Sequence, residues 1–544
     1  MIQHLIIAPI LIPFIAGALM LLYDDRQRSA KFWLSLISAG LLLLVAIRLL
    51  LEAKEAGSGG IGFYLLGNWA APMAIVLVVD HLSAMMLVLT AIIGLASLVY
   101  SRAVWHRQGQ HYFSLFQFLL MGLNGAFLTG DLFNLFVFFE VLLAASYGLL
   151  LHGSGQARVR AGMHYIAVNL AASLLFLLGV SLIYGVTGTL NMAHLANLAP
   201  MIPAVDQPLL KMGFALLGVA FLIKAGSWPL SFWLPNAYMS AAAPVGAIFA
   251  ILTKVGIYAI LRLSMLLFAE EGTGLTGWGA EVLILLGLAS VAFALFGTLA
   301  SQSLGRIAAY AVILSSGTVL AVIGFALAGG GGWMLTAALY YMIGSTLATA
   351  TLFLLVEPMS RDDGGIAAML ALTAEIYGTG KDESLGAETP DGPAMPAGLT
   401  LISVCFGICA IVLAGLPPLP GFVGKLGMIQ GALADAPAAT FLNWSFIALL
   451  ILSGLGTIIA LARIGIQTFW GSDEASSSVM ALEVAPALVL IALLGVMSIK
   501  SEAVLRYTGN TVEALQDRSL YAYGVFGAAR TTVPMLPGTG EEQP

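Results

Sequence analysis

The sequence predicts an all-α, polytopic membrane protein with about 14 transmembrane helices, in which two five-helix repeats lie inverted and each contains a broken helix. Of the 544 residues, 60% are hydrophobic and only 9% are charged, whereas soluble domains carry about 25% charged residues. Apolar stretches of roughly 18 to 25 residues recur along the chain, and each is long enough to cross a bilayer core of about 30 Å. A pair of proline-interrupted helices predicts the repeats.

The predicted spans follow one another with mostly short connections. Residues 56–79 are apolar but contain several Gly and Pro72, so we expect a hairpin or loop there. Residues 360–397 are rich in Gly, Pro and acidic side chains, which indicates a mobile insertion whose role the sequence does not assign. The spans cover approximately residues 2–23, 31–51, 80–101, 112–129, 131–151, 161–186, 208–240 (broken), 244–268, 277–299, 304–327, 333–356, 398–433 (broken), 443–470 and 480–499.

These spans divide the chain into four parts. Residues 1–111 hold the first three spans and the hairpin, and residues 112–270 form the first repeat. Residues 271–470 form the second repeat with its insertion, and residues 471–544 hold the last span and a polar tail.

Basic residues predict the orientation, because Lys and Arg accumulate in cytoplasmic loops. The even-numbered loops and their margins hold only Arg48, Lys54 and Lys211. We therefore expect the odd-numbered loops to be cytoplasmic and both termini, with the hairpin, to be extracytoplasmic. The odd-numbered loops hold Arg26, Arg28, Lys31, Arg102, Arg107, Arg158, Arg160, Arg306, Arg361 and Lys381.

Two proline-containing segments predict the broken helices. Gly226 and Pro229 interrupt the seventh span, and Pro417, Pro418 and Pro420 interrupt the twelfth, since proline removes a helix hydrogen bond and clashes with the preceding turn. The segments AGSWPL and AGLPPL agree at four of six positions. Each broken span is the fourth of a run of five, and a second run of five must lie upside down, as in many transporters.

Four ionisable residues lie deep inside the spans: Glu140, Lys224, Lys254 and Lys425. Charges at membrane depth are costly and usually mark an ion path. One carboxylate cannot neutralise three lysines, so a structural clamp between Glu140 and Lys224 does not account for the set. Buried lysines give up a proton far more readily than arginines, which suits a proton path. Arg262 and Arg463 lie nearer span ends, where long side chains can reach water.

Polar residues on the same spans could line a hydrated path, although hydroxyls in apolar helices often bond only to a carbonyl one turn earlier. Asp80, His81 and Tyr310 are candidates for an auxiliary proton relay. The candidate lining residues are Asn134, Ser146, Asn169, Ser173, Ser227, Thr253, Tyr258, Tyr310, Ser315, Ser316, Thr318, Tyr340, Ser345, Thr346 and Thr349.

Signatures of other functions are absent from the sequence. Cys405 and Cys409 lie in an apolar stretch without further ligands nearby, so we interpret them as small core residues. There is no nucleotide-binding loop, metal-spaced cluster or nucleophile motif, and we expect no catalytic residue, metal, cofactor or nucleic-acid partner. Energy for transport must come from an ion gradient or a partner protein.

The buried Glu140, Lys224 and Lys254, together with LPPLPGFVGK ending at Lys425, resemble the antiporter-like subunits shared by respiratory complex I and the Mrp (Pha) cation/proton antiporters. GMHYIAVNLAASLLFLLGVSLIYGVTGTLNMAHLA and IKAGSWPLSFWLPNAYMSAAAPVGAIFAILTKVGIYAILR are most similar to the D subunit of the Mrp type. The resemblance covers roughly residues 1–500, and the insertion at 360–397 departs from it.

The resemblance implies a secondary transporter subunit rather than an enzyme, within a hetero-oligomeric complex of a bacterial cytoplasmic (inner) membrane. That complex exchanges protons for Na⁺ or K⁺ across the lipid bilayer. Glu140 and Lys224 would form a switching ion pair, Lys254 a central proton site, and Lys425 a terminal site. Two alternatives stay open: a proton-pumping membrane subunit of complex I or of a related hydrogenase, and a non-transporting scaffold.

Overall fold

A computed structural model describes most of the chain. The described residues are 3–24, 26–55, 59–103, 105, 109, 111–269, 274–360, 398–434, 440–470 and 480–528. The predicted insertion therefore lies outside the described residues, apart from Ser360.

Helices, most of them apolar, form most of the described chain. Eleven of them are long and apolar enough to cross a membrane, and three further predicted spans correspond to the shorter apolar helices α1, α4 and α14. The structure thus confirms the polytopic helical class but does not confirm the count of 14. The helices are α1 (Ala8–Leu22), α2 (Arg28–Glu55), α3 (His81–Ser101), α4 (Tyr112–Leu128), α5 (Leu132–Leu150), α6 (Gln156–Thr187), α7 (Met192–Leu198), α8 (Gln207–Ala225), α9 (Leu234–Ser240), α10 (Ala243–Phe268), α11 (Ala280–Ala300), α12 (Leu304–Leu327), α13 (Gly332–Ser360), α14 (Gly398–Ala414), α15 (Pro420–Ala434), α16 (Phe441–Trp470), α17 (Ala481–Ile499), α18 (Ser501–Gln516) and α19 (Arg518–Phe526).

The segment before α3 is a β-hairpin, as the sequence predicts. Strands β1 (Gly62–Leu65) and β2 (Val76–Val79) pair antiparallel. The Gly130 amide, between α4 and α5, donates to the Val76 carbonyl at 2.8 Å, so the hairpin lies over this connection. We call this side of the molecule the hairpin end and the opposite side the far end.

Helix α10 occupies the centre of the molecule, and every one of its residues is buried. At the far end, the backbone amide of Ala243 donates to Glu357 Oε1 of α13 at 2.8 Å. Near the hairpin end, Arg262 forms an ion pair with Asp80. Helix α10 is therefore held at both ends by other parts of the chain.

The two predicted helix breaks have the same backbone geometry. Helix α8 ends at Ala225, and Gly226 follows in the left-handed region with φ 67°, where glycine is favoured. Helix α14 ends at Ala414, and Gly415 follows with φ 80°. In each break, the residue after the glycine donates its amide to a carbonyl five residues earlier, at 3.0 Å.

A cis proline stands three residues after each glycine, at Pro229 and at Pro418. Helix α15 then begins at Pro420, a position that needs no helix hydrogen bond. The repeated break confirms the pair of broken helices that the sequence predicts. The four-part division of the chain stays a prediction.

Candidate functional site

Lys224 lies near the end of α8, immediately before the first break, and only 6% of its surface is exposed. Its Nζ has no hydrogen-bond partner among the described residues and lies 4.8 Å from the centre of the Phe139 ring. A cation over an aromatic face is stabilised by the ring quadrupole. An ammonium held in this way is free to take a new partner.

Glu140 follows Phe139 on α5 and is partly buried. Ser173 Oγ of α6 donates to Glu140 Oε1. The Lys224 ammonium lies beside Phe139, the residue before Glu140, but the described structure contains no direct hydrogen bond from Lys224 to Glu140. The structure therefore brings the two groups near each other without forming the ion pair that the resemblance implies.

Lys254 is 1% exposed at the middle of α10. Its Nζ donates to Ser315 Oγ and to Ser316 Oγ of α12, each at 3.0 Å. Ser315 Oγ in turn lies 2.7 Å from Ser345 Oγ of α13. Hydroxyls both donate and accept, so these neutral partners can hold the amine with or without its extra proton.

Lys425 is 6% exposed on α15, after the second break. Its Nζ donates to the carbonyls of Leu413 at 3.3 Å and Ala414 at 3.0 Å. These carbonyls belong to the last turn of α14, where the helix has no backbone donors left and carries partial negative charge. The ammonium thus caps the first half of the broken helix.

The three lysines share one property. Within the described ranges, no carboxylate lies within ion-pair distance of any of their ammonium groups. Isolated charges in a low-dielectric interior are expensive. Each lysine is therefore a site at which losing and regaining a proton does not require an ion pair to break.

Close helix packing joins the first two lysines. Gly256 of α10 faces α8 so closely that a Cβ there would lie 2.7 Å from the Ala225 nitrogen and 2.8 Å from the Phe221 carbonyl. Lys224 precedes Ala225, and Lys254 lies two positions before Gly256. The helices that carry the two lysines are therefore in direct backbone contact beside both of them.

A face of α13 continues from Lys254 towards Lys425. Tyr341 and Ser345 lie one helical turn apart, and Ser345 contacts the hydroxyl that holds Lys254. A Cβ at Gly424 would lie 2.7 Å from Tyr341 Cβ, so Tyr341 packs against the residue before Lys425. This face links the second and third lysines.

A face of α6 runs from Glu140 towards the far end. Ser173, Asn169 and Tyr165 follow one another at four-residue spacing on this helix, and each is buried. Tyr165 Oη lies 2.7 Å from Ser146 Oγ of α5. Asn169 donates to the Tyr165 carbonyl at 2.9 Å, so Asn169 satisfies its own helix as well as lining this face.

The remaining candidate lining residues fall into two groups. Some bond to a different element, whereas others bond back to a carbonyl of their own helix. Ser227 Oγ lies 3.0 Å from Ser290 Oγ, and Tyr340 Oη donates to the Met497 carbonyl at 3.1 Å, so both bridge separate elements. Asn134 donates to Thr129 Oγ1 beside the hairpin end at 2.9 Å. The four threonines bond back to carbonyls of their own helices, which are those of Ala250 for Thr253, Leu314 for Thr318, Met342 for Thr346 and Ser345 for Thr349.

Arg262 departs from the sequence interpretation. It is 5% exposed, does not extend to water, and donates to both carboxylate oxygens of Asp80 and to Tyr258 Oη. Burial raises the pKa of the Asp80 carboxyl, but the guanidinium outweighs this effect and holds the pKa below its usual value. Arg463, by contrast, lies near the far end and donates to the carbonyls of Leu299 and Ser301.

The other two auxiliary candidates lie in different places. His81 is fully buried, both of its ring nitrogens lack partners among the described residues, and its ring lies 5.3 Å from that of Tyr507. Tyr310 is partly buried on α12 and packs edge-on against Phe293. The structure does not bring Tyr310 together with Asp80 and His81, and the relay stays a prediction.

Glu357 is a connecting residue that the sequence interpretation missed. Its Oε2 accepts from Tyr100 Oη at 3.2 Å and from Trp105 Nε1 at 2.8 Å, while its Oε1 accepts from the first amide of α10. The sequence signal was an acidic residue at the end of an apolar span, which also suits an exposed position. Nothing in the sequence places Tyr100 or Trp105 beside it.

Metal-ligand clusters are not found in the described ranges, where no group of three or more His, Cys, Asp or Glu residues could hold an ion. Cys405 and Cys409 are buried free thiols on α14.

Comparisons with known proteins identify a matching family and similar sequences. The model of the family described as NADH:quinone oxidoreductase/Mrp antiporter, transmembrane, matches residues 129–376. The chain is 48% identical over 538 residues to the probable D subunit of a K⁺/H⁺ antiporter from Rhizobium meliloti, covering 97% of this chain and 98% of that protein. It is 34% identical over 537 residues to the D subunit of a Na⁺/H⁺ antiporter from Alkalihalophilus pseudofirmus, covering 96% and 99%.

Its fold is similar to that of a chain in the Mrp complex from Dietzia sp. DQ12-45-1b. The TM-score is 0.78 at 25% sequence identity, and the match covers 97% of this chain and 99% of that chain.

Proposed function

Because this chain belongs to the family of D subunits of Mrp-type cation/proton antiporters, we propose that it carries protons through a multisubunit antiporter in exchange for Na⁺ or K⁺. The observation that carries this proposal is the set of three buried lysines, Lys224, Lys254 and Lys425, without a carboxylate in contact among the described residues. A purely structural set of charges would be expected to pair.

The proposed route enters beside Glu140 and Lys224. The buried polar face of α6, with Tyr165, Asn169 and Ser173, supports a connection from the far end to Glu140. When the Lys224 amine moves from Phe139 towards Glu140, attraction to the carboxylate favours the protonated amine; when it moves back, that attraction weakens and the proton can leave. The pair acts as a switch in this proposal.

The route then passes through Lys254 and ends at Lys425. The serine hydroxyls on α12 and α13 that surround Lys254 support proton transfer towards Tyr341 and Lys425. Asp80, His81 and Tyr310 are proposed as auxiliary relay groups. Of these, His81 has the strongest support, because its buried ring nitrogens have no partner among the described residues.

We place the protein in a bacterial cytoplasmic membrane, with the far end cytoplasmic and both termini and the hairpin extracytoplasmic. The concentration of Lys and Arg in the connections at the far end, such as Arg102, Arg158 and Arg160, supports this orientation. Other antiporter subunits are the proposed partners.

The test is cation-dependent proton exchange in everted vesicles that contain the whole complex, measured with K⁺ and with Na⁺. Lys224→Ala and Glu140→Ala are expected to abolish exchange while the complex still assembles. Wild-type exchange in both variants, with normal assembly, would overturn the proposal. Lost assembly in every charge-removing variant would instead favour a scaffold role.

A second candidate is a proton-pumping membrane subunit of a redox complex, since the matched family model includes NADH:quinone oxidoreductase. Purification of the native complex separates the two functions. Antiporter subunits would co-purify in the first case, and redox subunits in the second.

A further inference from the structure

A pocket of about 680 Å³ opens at the far end, between the first turns of α6 and the short helix α9. Its lining includes Arg160 and His164 of α6, Trp233 just before α9, and Asn236 within α9. None of these residues belongs to the lysine sites described above. The pocket therefore lies outside the lysine sites, next to the polar face of α6, where the Trp233 and Tyr165 rings lie 5.2 Å apart.

The pocket wall offers a charged hydrogen-bond donor that has no acceptor. Within the described residues, the Arg160 guanidinium has no hydrogen-bond or ion-pair partner. The indole Nε1 of Trp233 has no partner among these residues either, but it is buried and not exposed to the pocket, so Trp233 contributes only its ring to the wall. His164 Nδ1 donates to the Arg160 carbonyl at 3.0 Å, so this ring nitrogen is already engaged within α6. No lining residue is acidic, and the wall thus suits an anion.

Arg158, two positions before Arg160, has a structural role and contrasts with it. Its guanidinium donates to the carbonyls of Ser240 at 2.8 Å and His152 at 2.7 Å, and it lies 5.1 Å from the centre of the Trp105 ring. Arg158 therefore ties α6 to the last residue of α9. Arg160 makes no such connection and is available to a ligand.

The surface next to the pocket indicates the kind of anion. Apolar side chains of α6 continue away from the pocket and are more than half exposed, so they face the bilayer in a membrane-spanning helix; they are Met163, Leu170, Leu174 and Leu178. From Met163 to Leu178 the helix rises about 22 Å, which accommodates an acyl chain. Phe232, also exposed, stands at the pocket edge.

We propose that this pocket binds the phosphate of an anionic phospholipid, whose acyl chains lie along the apolar face of α6. Arg160 supplies the charge, and the side-chain amide of Asn236, which also lines the pocket, supplies a neutral donor. A phosphate group accepts several hydrogen bonds and is well matched by a guanidinium. A zwitterionic headgroup would also bring an ammonium, for which the pocket lining contains no carboxylate.

The test uses the complete antiporter complex, delipidated in detergent and titrated with phosphatidylglycerol, phosphatidylethanolamine or inorganic phosphate. Native mass spectrometry counts bound lipid, and the thermal midpoint reports binding of each probe. We expect Arg160→Gln to bind one fewer phosphatidylglycerol at low lipid and to weaken that site about tenfold, as for loss of one charged hydrogen-bond partner. Arg160→Lys should retain part of the affinity.

Arg306→Gln is the matched control, because Arg306 is exposed in the first turn of α12, at the far end of the molecule, and lies outside the pocket. It should bind phosphatidylglycerol as the wild type does. Equal lipid binding by the Arg160→Gln and wild-type complexes would overturn the proposal. Equal stabilisation by inorganic phosphate would overturn it in favour of a free anion, and loss of another subunit from Arg160→Gln would overturn it in favour of a protein partner.

Discussion

The two helix breaks can be compared residue by residue, because both have a left-handed glycine and a cis proline at the same spacing. At the first break, Lys224 stands before the glycine and its ammonium has no hydrogen-bond partner in the described chain. At the second, Lys425 stands after the glycine, and its ammonium caps the carbonyls of Leu413 and Ala414. The backbone is repeated, whereas the position of the charge is not.

This difference indicates that the two lysines have different structural costs. Lys425 satisfies carbonyls that would otherwise be buried without donors, so it stabilises the break that it serves. Lys224 satisfies no hydrogen-bond acceptor in the described structure, and its contact with the Phe139 ring offsets only part of the cost of desolvation. A residue that destabilises its own surroundings is expected where function, rather than folding, selects it.

The largest expected effect on exchange comes from replacing Lys224 or Lys425 by methionine, which keeps the length and removes the charge. We expect both Lys224→Met and Lys425→Met to reduce exchange in everted vesicles more than tenfold. Their stabilities should differ: Lys425→Met should destabilise the complex by about 2 kcal/mol, because two buried carbonyls lose a charged donor. Lys224→Met should be neutral or stabilising in thermal unfolding of the purified complex. Equal destabilisation by the two variants would contradict the comparison.

The buried ion pair of Asp80 and Arg262 provides a reference for the unpaired lysines. Asp80→Asn should destabilise the complex by about 3–5 kcal/mol, because Arg262 is left buried without its counter-charge. Since the folded-state pKa of Asp80 is lowered, this stabilisation is complete above pH 3.8 and is lost only as the pH falls through the still lower folded value. The difference in thermal midpoint between variant and wild type should therefore stay constant from pH 5 to pH 9. A difference that shrinks towards pH 5 would show that Asp80 holds a proton at equilibrium there and would contradict this expectation.

The two glycines sharpen the comparison further. A Cβ at Gly415 would lie 2.5 Å from Lys425 Cδ, whereas a Cβ at Gly226 would lie 2.5 Å from Leu234 Cδ1. Both Gly→Ala variants should lose about 1–2 kcal/mol from the left-handed backbone. Gly415→Ala should also displace the ammonium and slow exchange, measured as rate per assembled complex, more than Gly226→Ala does. The reverse order of rates would contradict this expectation.

The smallest expected effect concerns the hydroxyls that hold Lys254. Ser315→Ala with Ser316→Ala removes both partners of its Nζ, and we expect exchange to slow several-fold and its pH profile to move. Thr349→Ala is the matched control, because Thr349 bonds to its own helix at the Ser345 carbonyl. An unchanged pH profile in the double variant would remove the serines from the route.

The sequence predicts the parts of this molecule that follow from single segments. Apolar length predicts the helices, and the prolines and glycines around Gly226 and Gly415 predict the breaks. The rarity of charge in the apolar spans identifies the candidate proton sites, which are Glu140, Lys224, Lys254 and Lys425.

What the sequence could not predict depends on contacts between distant segments. Asp80 and Arg262 are separated by 182 positions, so the sequence indicates only that an arginine near a span end can reach water, and not that it forms a buried pair. In the same way, Glu357 accepts hydrogen bonds from Trp105 and from the first amide of α10 only in the folded chain. Both errors concern charges whose partners lie far away along the chain.

The central helix α10 has a consequence for how the protein moves. It is enclosed along its whole length, anchored by Glu357 at one end and by Asp80 at the other, and pressed at Gly256 against the backbone of its neighbour. A large tilt of the helices on one side of α10 against those on the other would break all three contacts. A turnover cycle in this protein should therefore proceed by rotating side chains and rearranging water inside an almost rigid frame, so that distance probes on its helix ends register little change between states.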